Sequence, residues 1–302
     1  MQTNLLPSLP LPDREDFRYT SARVKVLESQ LLTQSDFLRF RNLSPADRIA
    51  IIQDTFSWFD GNPKTFTRQW TEHLYKVTQT MTQECNAPDL GYYFLLPRGI
   101  ELIQALLEGA KLHTTPVPMA ESFCRSGDLS ELPAELIEPV AEARRLYKLG
   151  LTGSGRRLLS KSMVNLLSGS RYSKLPYFKT ALTRWVDTLD VRLLISATLR
   201  KGTYRGLPGG SLHLRSDSDI ESVARDLGIH STDLFEIERV LDERLFKTII
   251  ESRLIPAGPE VVFGYLWELE REFRNASMLI AGALVAIPPK ELENAYRRTY
   301  AK

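Results

Sequence analysis

The chain has 302 residues, 43% of them hydrophobic and 25% charged, proportions that suit a globular protein and exclude disordered and collagen-like classes. Its net charge of +2 supplies no broad basic field for nucleic acid, although a pI near 8.4 leaves room for a local patch. The two cysteines, Cys85 and Cys124, lie too far apart in sequence for a disulfide framework or a metal knuckle, which fits a reducing cytoplasm.

Residues 1–17 read as a tail. Prolines interrupt it and no basic segment precedes an apolar run, so it does not resemble a signal peptide and a cytoplasmic protein is expected. From 18 to 40, Val24, Leu27, Leu31 and Leu38 keep helical spacing, and Thr33 with Ser35 ahead of Asp36 can restart a second helix. Ser44-Pro45 reads as an N-cap followed by proline at the first helical position, and Gly61-Asn62-Pro63 closes that unit. Helical patterns continue over 70–81 and 95–111, and a proline-bearing stretch at 114–118 marks the first boundary. Helices are next expected over 134–149, with Pro139 near its start, and over 177–201. In the latter, Leu182, Val186, Leu189, Leu193 and Ala197 form a stripe, with Asp187, Asp190, Arg192 and Arg200 off it. Residues 202–210, with Pro208, end that unit. The only β-leaning runs, 91–94 and 211–214, are too short to force a sheet.

The stretch 261–287 is the most informative. Gly258-Pro259 opens it and Pro288-Pro289 stops it, so one long helix is expected. Val262, Leu266, Leu269, Phe273, Ala276, Ile280, Ala283 and Ile287 alternate steps of four and three and make one narrow apolar seam. Up to Asn275 the flanks are charged, with Glu270 and Arg274 at i and i+4 on one side and Glu268, Glu272 and Asn275 on the other. From Ala276 onward the helix is apolar nearly all round and requires cover. Twelve such residues rise only about 18 Å, against roughly 30 Å of bilayer hydrocarbon, so no transmembrane span is expected.

At this helix the chain resembles the last repeat of the C-type subunit of V-type and A-type ATPases, the family that includes the d-type subunit of eukaryotic V-ATPases. The resemblance is carried by residues 265–275, their apolar continuation to Gly282, the Ile287-Pro288-Pro289-Lys290-Glu291 that follows, and the preceding stretch 235–262. Leu269 and Ser277 depart from it, standing where the family commonly has basic residues. Residues 19–32 resemble the family's first helix, and 177–201 resembles the long helix of its middle repeat. The resemblance implies an all-α fold of three similar small bundles in a pseudo-threefold funnel arrangement. The punctuation divides the chain compatibly, into the tail and units at 18–115, 116–212 and 213–302. The implied role is that of a non-catalytic rotor component that couples a central shaft of D- and F-type stalk subunits to the membrane proteolipid ring during proton or sodium transport. The chain would then lie peripherally on the cytoplasmic face of the membrane. The candidate partner interface is Glu268, Glu270, Glu272, Arg274 and Asn275.

No motif argues for an active site. The run from Gly150 to Arg157 has the glycine spacing of a P-loop, but arginines occupy the positions that need lysine for phosphate and a hydroxyl for Mg²⁺, so a helix C-cap and turn is expected. His73, His113, His213 and His230 have no ligand-spaced neighbours, and no serine or cysteine sits in a nucleophile elbow. Neither catalytic residue, metal nor cofactor is predicted, and nucleic acid is not an expected partner. The arginine pairs 144–145, 156–157 and 297–298 read as solvated faces, with lipid headgroups or acidic partner surfaces as the alternative. The rival to the rotor reading is a helical adaptor, or a helical enzyme with an unrecognised site.

Overall fold

Helices start where the sequence supplies caps. In the computed structural model, which describes residues 13–109, 132–199, 206–212, 219–230, 232–285 and 287–289 together with 127, 204, 214 and 292, the fold is all-α, and no strand occurs among the described residues. The Thr33 hydroxyl accepts from the Asp36 N–H while the Asp36 carboxylate accepts from the Thr33 N–H at 2.9 Å, a reciprocal box that opens α2 (Gln34–Phe40) after α1 (Arg18–Glu28). Ser44 caps α3 (Pro45–Thr55), with Pro45 in the first turn. There follow α4 (Phe66–Glu84), α5 (Pro88–Leu107), α6 (Ala134–Lys148), α7 (Thr152–Gly169), α8 (Pro176–Leu199), α9 (Ile220–Leu227), α10 (Leu234–Ile250) and α11 (Pro259–Leu284). The run 91–94 lies within α5. The expected break at 114–118 lies outside the described residues, as do Cys124, His113, His213 and the arginine pair 297–298.

Two compact units form, and one of them is assembled from both ends of the chain. The terminal unit joins Asp13–Gly91 to the chain from Ser252 onward; the middle unit runs from Tyr92 to Glu251. This grouping differs from consecutive segments at 18–115, 116–212 and 213–302. Its physical reason is α11, which packs against α1, α2, α3 and α4. The end of the expected tail belongs to the same assembly: Asp13 caps a short 3-10 turn (Arg14–Phe17), Phe17 is fully buried, and Arg14 reaches Glu260 at 3.4 Å and the Ala257 carbonyl at 3.3 Å.

The apolar half of α11 finds its cover in the terminal unit. Ala276, Leu279 and Ile280 pack with Phe37, Phe40, Ile52, Phe56, Phe59 and Phe66. Phe273 lies flat on Trp70, ring centroids 4.8 Å apart and planes 1° apart. The expected narrow seam is too narrow a description. Val261, Phe263, Tyr265, Glu268, Arg271, Glu272 and Asn275 are buried as well, so the charged half is enclosed nearly all round, while Leu284 and Val285, at the apolar end, are exposed. No helix among the described residues is long and apolar enough to cross a membrane.

In the middle unit α6 and α7 form a hairpin closed at residues 149–151, and α8 packs on α7 and α10. The turn is a Schellman motif: the Gly150 N–H donates to the Tyr147 carbonyl at 3.0 Å and the Leu151 N–H to the Leu146 carbonyl at 2.9 Å, with Gly150 at φ +76°. The glycine at 155 has a different cause, since a β-carbon there would lie 2.6 Å from the Tyr147 ring. Gly150 and Gly155 of the P-loop-like run therefore serve the hairpin. Gly155→Val is expected to lower stability by about 1–3 kcal/mol through overpacking, whereas Gly153→Ala, whose β-carbon meets open space, leaves the thermal melt within a degree or two or raises it slightly. Equal melting of the two variants would contradict this assignment.

Candidate functional site

The five residues expected to form a partner surface do not share one environment. Glu270 and Arg274 keep partial exposure and form the anticipated i,i+4 pair, Arg274 Nη2 to Glu270 Oε1 at 3.0 Å. Glu268, Glu272 and Asn275 are 2%, 5% and 0% exposed. The expectation of a solvated flank is corrected at these three positions, because α1, α2, α3 and α4 surround the helix. Glu272 has a defined role, for its Oε1 accepts a hydrogen bond from the Leu32 backbone N–H at 2.7 Å. Leu32 precedes the α2 N-cap, so this carboxylate fixes the link between the first two helices. Burial pushes the Glu272 carboxyl up to about 7, and the Leu32 N–H pulls it part of the way back. The Tyr265 phenol, on the same helix, is raised by burial and then by the Glu272 charge.

A second pair of acids does the same on α8. Asp187 and Asp190 are 1% and 0% exposed. Asp187 accepts from the Ser211 N–H at 2.5 Å, the Ser211 hydroxyl at 2.5 Å and the Leu212 N–H at 3.1 Å, and Arg184 stands 3.8 Å from its carboxylate. Asp190 accepts from the Tyr204 hydroxyl and from the Leu207 N–H at 2.7 Å. Burial pushes its carboxyl up to about 6; the two hydrogen bonds lower it, the Asp187 charge raises it, and Arg157 lowers it. These acids were legible only as residues off a stripe. The overlooked signal is the glycine content of the loop, for a β-carbon at Gly210 would sit 2.9 Å from Asp187 Oδ1; glycine lets backbone donors approach a buried carboxylate.

Among the described residues no group of histidines, cysteines and acids could hold a metal ion. Cys85 is buried, its thiol pushed up to about 12 chiefly by burial. His73 stacks on Trp58 at 5.4 Å and lies against Trp70, and burial lowers its imidazole. Arg156, from the P-loop-like run, forms a forked pair with Glu108, which also accepts from the Tyr147 hydroxyl at 3.1 Å. What the acids on α8 and α11 do chemically is to hold loop backbone at fixed places.

No protein-family model matches the chain, and no curated protein matches it.

Proposed function

We propose that the chain is a non-catalytic rotor component of a V/A-type rotary ATPase, related to the C-type subunit, that couples the central shaft to the membrane proteolipid ring in proton or sodium transport. The observation that carries this reading is shared by the two long helices with which the resemblance is concerned. Both α8 and α11 bury carboxylates that hold neighbouring backbone, Asp190 at Leu207, Asp187 at Ser211 and Leu212, and Glu272 at Leu32. A part that transmits torque needs stiff helices with loops fixed to them; acids engaged in this way are structural, and a repeated device fits a repeated bundle. In this reading three such bundles stand in pseudo-threefold arrangement around the shaft, and the chain sits peripherally on the cytoplasmic face of the membrane. The Glu270–Arg274 pair, which keeps partial exposure mostly through Arg274, is the part of the expected interface that a stalk subunit could reach.

The test is capture of the tagged full-length chain from gently solubilised membranes of its own host, followed by mass spectrometry. D- and F-type stalk subunits and the proteolipid are expected to co-purify in fixed ratio. Capture without any rotary-ATPase subunit, or ATP hydrolysis by the isolated chain, would favour the adaptor or enzyme instead.

A further inference from the structure

The charge of this chain is distributed very unevenly. Between Arg144 and Val186 there are ten lysines and arginines and no aspartate or glutamate, so a chain of net charge +2 is strongly basic along the end of α6, the whole of α7 and the first half of α8, and acidic elsewhere. At the α6–α7 turn this basic stretch comes together with an apolar feature. Leu149 and Leu151, on either side of Gly150, are 60% and 50% exposed. Arg144, Arg145 and Lys148 are exposed in the turn of helix just before them. The nearby acids are already engaged: Glu142 holds Arg145 at 2.7 Å, and Glu108 holds Arg156. Arg144 and Lys148 make no ion pair among the described residues. The amino end of α7 lies at the same tip, with no side-chain cap and no acid in its first turn, and adds its positive dipole end to the field.

From these observations we infer that the α6–α7 hairpin tip is a docking site for an anionic lipid bilayer, with Leu149 and Leu151 entering the interface and Arg144, Lys148 and the neighbouring cations resting on headgroup phosphates and carboxylates. The leucines decide among the polyanions. Nucleic acid offers phosphate but no apolar phase, so two projecting aliphatic side chains would gain nothing there. Tyr147, the aromatic residue at the turn, lies against Gly155 and donates to Glu108, which leaves it poorly placed to stack on a base. A folded acidic protein would require an interface on the order of 800 Å² per partner, for which two leucines on a convex turn are a poor core. A bilayer surface accepts a small apolar protrusion ringed by cations, because hydrocarbon and negative charge lie within a few ångströms of each other.

This inference does not rest on the rotor reading, and its test contains no other protein. The full-length chain is sedimented with vesicles of phosphatidylcholine alone and with vesicles containing one-third phosphatidylserine, at low and at near-physiological salt. Binding is expected only to the anionic vesicles and is expected to weaken as salt rises. Lys148→Glu is expected to weaken the binding more than about fivefold, since each cation near such a surface contributes about that factor. Replacing Leu149 and Leu151 together by Ser is expected to weaken it about tenfold or more without a change in thermal melt, because both side chains are exposed. Leu254→Ser, at a leucine 86% exposed elsewhere, is the control and should bind as the parent does. The inference is overturned by equal binding to neutral vesicles, by no binding to anionic ones, or by a double serine variant that sediments like the parent. Duplex DNA binding that survives the two serines would assign the basic stretch to nucleic acid and overturn it as well.

Discussion

Ile280→Asp is expected to prevent the terminal unit from folding. Ile280 is 3% exposed and packs in a hydrophobic cluster with Phe37, Phe40, Ile52, Phe56 and Phe59. Removing the aliphatic side chain from such a site costs about 2–5 kcal/mol, and placing a carboxylate there without a partner adds several more or forces its protonation. The sum approaches the roughly 5–15 kcal/mol that holds an ordinary domain together. Trp58 and Trp70, which stack within and beside this cluster, report the outcome: their emission should shift to that of solvated indole and lose its cooperative thermal transition. Leu284→Asp is the matched control, since Leu284, four residues on, is 60% exposed and should tolerate the change within about 0.5 kcal/mol. An Ile280→Asp protein that melts like the parent would refute the packing described for α11.

Glu272→Gln is expected to stabilise the protein, and only at higher pH. Burial raises the folded-state pKa of Glu272 from 4.5 to about 7, so this residue's contribution is fully present below about pH 4.5 and is lost as pH rises through about 7. The loss amounts to about 3 kcal/mol once the carboxyl must ionise in the folded state. Glutamine keeps an oxygen to accept the Leu32 N–H and never ionises. Parent and variant should therefore melt together near or below pH 4 and separate progressively toward pH 8, with the variant the more stable. Thermal melts across that range decide it; parallel curves would mean that water or a cation reaches the carboxylate.

This second expectation reverses one that the sequence invites. Glu272 and Arg274 look like members of two solvated flanks of one helix, whose joint removal would cost folding little. In the structure Arg274 pairs with Glu270, and Glu272 turns inward to Leu32. The difference arises because periodicity describes one helix at a time. It found both ends of α2, α8 and α11 and the start of α3 within one to three residues, since caps such as Thr33 and Ser44 and breakers such as Gly258-Pro259 act through neighbouring backbone. It found the all-α class for the same reason. The number of faces that α11 must bury depends on how many helices surround it, and those helices lie at the opposite end of the chain. The clamp at Tyr204, Leu207, Ser211 and Leu212 was hidden likewise, because an acid off the apolar stripe ordinarily faces water, and the loop's backbone and hydroxyl donors satisfy Asp187 and Asp190 inside.

A unit built from both ends of a chain also has a history in time. During synthesis α1 to α4 leave the ribosome with Phe37, Phe40, Phe56, Phe59 and Phe66 prepared to pack, but the helix that completes their core is encoded only after the whole middle unit. At about 5–20 residues per second, roughly ten to thirty seconds separate Gly91 from Ser252, while the middle unit can close as soon as its own residues have emerged. The nascent amino-terminal segment thus waits with an aromatic cluster uncovered, a substrate for chaperones that hold unfolded chains. Truncation a few residues before Ile280 would make that waiting state permanent.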